Sequence, residues 1–428
     1  MKTRRIFSSF PATICLLIVP SLVGATNGLN QIGFGTESVA MGGADIAVAR
    51  DTSALNTNPA GLVQIKGALA DVNSAIGYTG NITHKDAYGN DTQNVNRFPL
   101  LGNLGYAQRL DDLPLTLGIG LFAQGGTGNQ YDNLRTAFGT VDDLSATLRL
   151  ARISPGVAWQ VNDALAVGVS LIGTYGDLEQ ELFPNTSYLD LADPSRSFFG
   201  YELSEMRDTG SGIKLGVMYE VNYRVKLGAA YNNRIDLEFE GEATVDLSAL
   251  GLGKVNYRDA RVRNLDQPQE LGIGAAIQAR DDLLVSLELN WIDWSSAING
   301  TTLTASAPDN ALAPATLRVT DPNHWRDQYV VGIGFAYDLD SQTVLRAGYN
   351  YGRNPIPEAS LSPLLNTITE HHLAFGFGRE LDAAWRIDGA FVWDIKASTR
   401  YNNPGLPFGD SEAVGDLFAL HFRVSRAW

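Results

Sequence analysis

From residue 66 onward the chain alternates apolar positions with small or polar ones. Leu115, Leu117, Ile119 and Leu121 fall on one face, with Thr116, Gly118, Gly120 and Phe122 on the other. Leu165, Val167, Val169 and Leu171 oppose Ala166, Gly168 and Ser170. Tyr329, Val331, Ile333, Phe335 and Tyr337 oppose Gly332, Gly334 and Asp338. Trp385, Ile387, Phe391 and Trp393 oppose Arg386, Asp388 and Asp394. A period of two predicts strands with one apolar face. About fourteen such segments can be counted, separated by turns such as Leu110-Asp111-Asp112 and Arg280-Asp281-Asp282. These short acidic turns alternate with long polar stretches at 124–144, 178–208 and 297–327, which are expected to be loops.

Short turns at one end and long loops at the other predict an all-β fold, a transmembrane antiparallel β-barrel. A soluble β-sandwich explains the pattern less well. Segments of about ten residues match a tilted membrane strand. Aromatics recur at the ends of the apolar faces, as at Tyr329 and Tyr337, Tyr349 and Tyr351, and Trp385 and Trp393, where interfacial girdles sit. The opposite faces are rich in Gly and Ala with scattered charges, as a lumen is.

Composition agrees. Charged residues are 18% of the 428, below the usual ~25% of soluble domains, while Gly numbers 44. Mean hydropathy is -0.08, which excludes a bundle of apolar spans. With 47 acids against 32 bases, the net charge of -15 argues against nucleic acid as a partner.

Lys2, Arg4 and Arg5 precede an apolar run from Ile14 to Val23, and Val23-Gly24-Ala25 reads as a cleavage site. Residues 1–25 are therefore expected to be a secretory signal peptide; the run is shorter than the ~20 residues a span needs. Cys15, within it, is the only cysteine, so the mature chain has no disulfide, thiolate metal site or thiol nucleophile.

Residues 26–65 lack the alternation and hold Gly28, Gly33, Gly35, Gly42, Gly43 and Gly61. A short helix is expected near 44–56, ended by a turn at Asn58-Pro59-Ala60. The segment has too many small apolar residues for a solvated tail. It is expected to plug the lumen, ahead of a barrel formed by residues 66–428.

At the far end Leu420, Phe422 and Val424 share one parity, His421, Arg423 and Ser425 the other, and Trp428 is terminal. An alternating strand closed by an aromatic resembles the signal read by the barrel assembly machinery.

The stretch from Ser38 to Ala47, followed by Asp51 and Asn58-Pro59-Ala60, resembles the N-terminal hatch of the outer-membrane long-chain fatty acid transporters. That family also includes aromatic-hydrocarbon uptake channels. Trp325-Arg326-Asp327-Gln328-Tyr329, Arg346-Ala347-Gly348-Tyr349, Asn354-Pro355-Ile356-Pro357 and the segment Leu289 to Ser295 are similar to its later strands. The resemblance implies a barrel of about fourteen strands plugged by a hatch. It also implies passive capture of hydrophobic ligands from outside and lateral release through the wall at a kinked strand. Asp51, Asn58, Pro59 and Ala60 are then the gating residues. Arg326, in a basic-Asp-x-Tyr pattern and at an inward parity, is expected to pair with a fatty-acid carboxylate.

A hydrophobic cargo needs apolar collecting surface, at about 25 cal/mol per Å² buried. Leu182, Phe183, Leu189, Leu191, Phe198 and Phe199 in the long loops are the candidates. Arg152, Lys214, Arg346 and Arg386 are expected to face inward and to pair with lumen acids such as Asp388 or with plug carboxylates. Pro155, in Ile153-Ser154-Pro155-Gly156, is a candidate kink.

Enzyme chemistry finds no support. The five histidines are His84, His324, His371, His372 and His421, and His371-His372 opens a strand, so the two point to opposite faces. No phosphate loop, HExxH or EF-hand pattern occurs. Gly125-Gly126-Thr127-Gly128 lacks the lysine of a phosphate loop and reads as a loop turn. No metal or cofactor is expected. The reading is passive outer-membrane transport of long-chain fatty acids in a Gram-negative bacterium. Aromatic hydrocarbons are the alternative cargo and a general diffusion porin the remoter one. The expected partners are a hydrophobic ligand, outer-membrane lipid and lipopolysaccharide, and the assembly machinery, with the protein a monomer.

Overall fold

A computed structural model describes residues 27–79, 81–401 and 409–428, so the expected signal peptide lies outside the described residues. In chain order the strands are β1 (Ala68–Tyr78), β2 (Thr83–Asp86), β3 (Asp91–Gln93), β4 (Leu100–Arg109), β5 (Leu115–Arg135), β6 (Val141–Gln160) and β7 (Leu165–Tyr188). Next come β8 (Phe198–Asn222), β9 (Val225–Asn232), β10 (Phe239–Asp246), β11 (Lys254–Arg263), β12 (Glu270–Arg280), β13 (Leu283–Ile292) and β14 (Thr301–Pro308). The last six are β15 (Thr316–Asp321), β16 (Gln328–Asp338), β17 (Thr343–Gly352), β18 (His371–Glu380), β19 (Trp385–Tyr401) and β20 (Ser411–Ala427).

Fourteen of them make a closed antiparallel barrel, in the order β1, β4 to β9, β12, β13 and β16 to β20. β20 pairs with β1 from Leu69↔Ala427 to Tyr78↔Phe418, which closes the ring. Closure pairs the barrel strands on both sides over most of their length, the condition for backbone to cross a bilayer as strands.

Parity along the strands follows the sequence pattern. On β16, Gln328, Val330, Gly332, Gly334 and Ala336 are buried inward, while Tyr329, Val331, Phe335 and Tyr337 are exposed. Leu171, Ile213, Leu271, Phe375 and Phe422 are likewise exposed on the outer face, where the bilayer covers them.

Some strands are longer than the sequence pattern predicts. β5 to β8 run 21, 20, 24 and 25 residues, so most of 124–144 and 178–208 is strand and not loop. Above the membrane their outer faces meet water, so Ser145, Thr147 and Arg149 replace the apolar outer residues. Their inner faces stay apolar. Leu144, Leu148, Leu150, Leu178, Leu203 and Met206 join an extracellular core with Phe239, Tyr257 and Trp294. β10, β11, β14 and β15 widen this region as a sheet continuing from β8, and β14 and β15 occupy part of the 297–327 stretch.

The expected helix is also displaced. Helix α1 spans Thr36–Ala40, and two 3-10 turns cover Thr52–Leu55 and Pro59–Gln64. Gly42 and Gly43, at φ of 66° and 75°, stop α1 after little more than one turn. Pro155 does not break its strand. β6 continues through it, and only the ladder to β7 lapses, between Ile153↔Gly173 and Gly156↔Ser170.

Candidate functional site

Residues 27–65 are almost entirely buried and pack on inward-facing wall residues. With so little regular structure, this inner segment must satisfy its backbone groups elsewhere, and side chains of the wall do so. Asn73 Oδ1 on β1 accepts from Thr36 N at 3.1 Å, and Asp71 Oδ2 from Thr52 N at 2.9 Å. Glu288 Oε2 on β13 accepts from Asp45 N and Ile46 N, both at 2.8 Å. Asn350 Nδ2 on β17 donates to Gly42 O at 3.0 Å.

Asn58 reverses the direction, since its Nδ2 donates to Ile46 O at 2.7 Å and to Val217 O of β8 at 3.1 Å. Its Oδ1 accepts from Ala60 N at 3.2 Å, so it caps the Pro59–Gln64 turn. The Asn58-Pro59-Ala60 motif is therefore both a cap and a tether to the wall.

A charge cluster ties the same segment to the barrel's closing strands. Arg423 on β20 pairs with Asp51, and its Nη2 lies 2.7 Å from Asp388 Oδ2 of β19. Arg346 on β17 reaches Asp388 Oδ1 at 2.9 Å and Glu37 Oε1 at 3.1 Å. Arg386 approaches Asp388 Oδ2 at 3.2 Å. From the inner segment itself, Arg50 pairs with Glu37. Burial opposes ionisation of Glu37, yet Arg346, Arg50 and Arg423 together outweigh it and hold the carboxyl well below the usual range.

Close approach needs space as well as charge. A Cβ on Gly168 or Gly216 would overlap Pro59 and Asn58, and one on Gly334 or Gly348 would overlap Met41 and Gly42. Many of the chain's glycines are accounted for by this belt, because only a bare Cα lets the wall touch another backbone.

One stretch of wall lacks a neighbouring barrel strand. The β4–β5 ladder ends at Asn103↔Phe122, while β5 continues upward with β6 on its other side. Just above the break the inner segment takes the partner's place. Gly126 N donates to Leu29 O at 3.2 Å, Asn30 bridges to Gly125, and Gln31 Nε2 donates to Ala123 O at 2.5 Å. A bulge between Ala123 and Gly125 bends β5 here. Gly125 and Gly126, at φ of 148° and 139°, adopt a conformation that suits glycine, and a Cβ on Gly125 would overlap the Leu29 carbonyl. The Gly125–Gly128 run is thus part of a wall strand and not a loop turn.

The chain matches the family described as "Outer membrane protein transport protein (OMPP1/FadL/TodX)" over residues 23–425. It belongs to this family. It is 24% identical to outer membrane protein P1 of Haemophilus influenzae over 382 residues, 78% of this chain and 80% of that one. Its fold is similar to the crystal structure of the Pseudomonas putida toluene transporter TodX, with a TM-score of 0.76 at 22% identity, covering 94% of this chain and 100% of that one. It is also similar to the Ralstonia pickettii toluene transporter TbuX, with a TM-score of 0.74 at 24% identity over 93% and 99%.

As a member of the OMPP1/FadL/TodX family, the protein is an outer-membrane β-barrel that transports hydrophobic compounds, and it is not an enzyme. The residues anticipated as its ligand site separate in space. Arg326 is exposed on the loop before β16, in a cleft with Arg353, Glu358 and Glu370, and the strand starts only at Gln328. Phe183 is 1% exposed and meets Phe198 edge-on at 6.2 Å, while Phe198 stacks on Phe138 at 4.8 Å. Phe199 and Leu182 pack on the same core and Leu189 is half-buried, leaving Leu191 in solvent at 87%.

The lumen cations do face inward. Arg346 and Arg386 pair with acids as above, but Arg152 instead donates to Asn56 Oδ1 and Gln267 Oε1 at 2.9 and 2.6 Å. Lys214 donates to Asn232 Oδ1 at 3.1 Å. Sequence reading placed Arg423 on the lumen face without seeing its role. Its parity was legible, but the identity of its partner, Asp51, lies 372 positions away.

Proposed function

We propose that the protein passively carries neutral hydrophobic molecules across the outer membrane and releases them sideways through the wall. The carrying observation is the free edge of β5 above Phe122, covered from inside by Leu29, Asn30 and Gln31. A small shift of those residues opens a path from lumen to lipid without breaking a strand-to-strand ladder. The partly buried residues at the edge of the extracellular apolar core, Leu182, Phe198 and Phe199, are the entry surface, where apolar burial draws cargo out of water. Asp51, Asn58, Pro59 and Ala60 hold the inner segment and so set the gate.

Neutral cargo fits the lumen better than a carboxylate. Arg346, Arg386 and Arg423 are engaged by acids, and Arg152 and Lys214 by amide oxygens. Toluene transporters among the similar folds support the same direction. Long-chain fatty acids are the second reading, favoured by the outer cleft where Arg326 and Arg353 lie together. In either reading the protein inserts through the barrel assembly machinery and works as a monomer among lipid and lipopolysaccharide.

The test is a cross-link. In a chain lacking Cys15, Gln31→Cys and Ala123→Cys are joined by a short bis-thiol reagent. Uptake of labelled toluene and oleate into cells is then compared before and after reduction. Reversible loss of uptake supports lateral release; undiminished uptake with the link in place rejects it.

A further inference from the structure

A second, mostly apolar cleft lies between the inner segment and the wall formed by β4, β1, β20 and β19. Ile32, Val39, Leu101, Val392, Leu417 and Ala419 supply its surface. Two polar side chains of the wall also line it, Asp394 of β19 and His421 of β20. Asp394 is 1% exposed. One of its oxygens, Oδ1, accepts from His372 Nδ1 of β18 at 2.9 Å. The other, Oδ2, is buried with no hydrogen-bond partner among the described residues.

An aspartate oxygen left unpaired in an apolar cleft is costly, so it calls for a donor. The wall supplies none, and the cleft is where one can arrive. We infer that this cleft is a selectivity site for hydrophobic molecules bearing a hydroxyl group, alcohols or phenols, whose O–H donates to Asp394 Oδ2. The inference rests on the transport reading above and adds the class of cargo.

Three consequences follow from donor and acceptor chemistry. A hydroxyl gains a hydrogen bond that the unpaired oxygen otherwise lacks. A plain hydrocarbon fills the apolar part of the cleft but leaves Oδ2 unpaired. A carboxylate brings only acceptors against an acceptor and is rejected. His372 acts as the positioning residue. It lies on the neighbouring strand in the His372↔Asp394 register and holds Oδ1, which leaves Oδ2 as the unpaired oxygen. Its own Nε2 has no partner among the described residues.

The experiment uses the purified full chain in detergent and three probes sharing one ring: p-cresol, p-xylene and 4-methylbenzoate. Binding is measured by calorimetry, and folding by the heat-dependent shift in gel migration that barrels show. The wild-type protein is expected to bind p-cresol about tenfold tighter than p-xylene, the gain of one hydrogen bond to a buried acceptor, with 4-methylbenzoate weakest. Asp394→Leu brings p-cresol down to the level of p-xylene and leaves p-xylene unchanged. Asp394→Asn, which keeps the side-chain volume, narrows the p-cresol preference and strengthens 4-methylbenzoate.

Equal wild-type affinity for p-cresol and p-xylene overturns the inference, as does a folded Asp394→Leu variant that still binds p-cresol about tenfold tighter than p-xylene. A purely structural role for Asp394 moves all three together and overturns it as well. Liposome uptake separates this from the broader reading. If the wild-type protein speeds entry of none of the three, transport itself fails. If p-xylene and p-cresol enter equally and Asp394→Leu changes neither, transport stands and the selectivity site falls.

Discussion

Arg423 on the last barrel strand pairs with Asp51 in the inner segment, inside a lumen that excludes both from solvent. Asp388 of the adjacent strand shares the same guanidinium. One arginine therefore joins the inner segment to the seam where the barrel closes.

Removing that arginine is expected to free the gate. Arg423→Ala leaves Asp51 and Asp388 buried with less compensation, and breaking a buried pair costs about 3–5 kcal/mol. The barrel should still fold on its ladders, while hydrogen exchange in residues 27–65 accelerates and single-channel conductance rises. Unchanged exchange in that segment would mean the cluster does not hold it.

Asn58 divides into two jobs that substitution separates. Asn58→Asp retains the acceptor that caps Ala60 N but loses the Nδ2 donor to Ile46 O and Val217 O. Asn58→Ala loses both, at about 1–3 kcal/mol for the stranded partners. Exchange rates of the 27–65 amides should rise in both variants, and most in Asn58→Asp, which also sets a buried carboxylate against those two carbonyls. If Asp and wild type coincide, only the cap matters.

The glycine belt has a steric test. At Gly348 a new Cβ overlaps Gly42 of the inner segment. Gly348→Val is expected to cost about 1–3 kcal/mol by overpacking and to raise conductance by displacing that segment. Ala347→Val, facing the bilayer from the neighbouring position, serves as the control and leaves conductance near wild type.

Acid should act through Glu37. Its folded-state carboxyl is held well below the usual range, so ionised Glu37 contributes stability above its unfolded pKa. That contribution is lost as pH falls through the folded value. Conductance is thus expected to stay low across neutral pH and to rise only in acid below the ordinary glutamate range. Glu37→Gln, which has no proton to gain, should show raised conductance without that acid step.

Arg326 distinguishes the two cargo readings. Its side chain is exposed and its backbone N donates to Pro355 O at 2.8 Å, so Arg326→Ala keeps the fold. Stability should change by less than about 0.5 kcal/mol. Toluene uptake is expected to be unaffected. A matching loss of oleate uptake would show that the outer cleft captures carboxylates.

The strand pattern, the lipid-facing parity and the inward set of Arg152, Lys214, Arg346 and Arg386 were legible in the sequence. Alternation is a local property, and lipid and lumen impose opposite demands on neighbouring residues. The extra length of β5 to β8 was not legible. Above the membrane their outer faces turn polar while their inner faces still pack, so the apolar outer stripe ends before the strand does. The Gly125-Gly126 break was visible as composition and misread as a turn, because its partner, the Leu29-Asn30 backbone, comes from inside the barrel.

The sequence by itself therefore determined a barrel, its membrane face, its lumen face and an irregular segment ahead of it. Only the tertiary structure decided that Arg326 stands exposed in a cleft with Arg353 and that Arg423 grips Asp51. It alone left Asp394 with an unpaired oxygen in an apolar cleft. The physical reason is range. Period-two patterning is set by each residue's immediate solvent, whereas a buried charge is settled by whichever distant group barrel closure brings within reach.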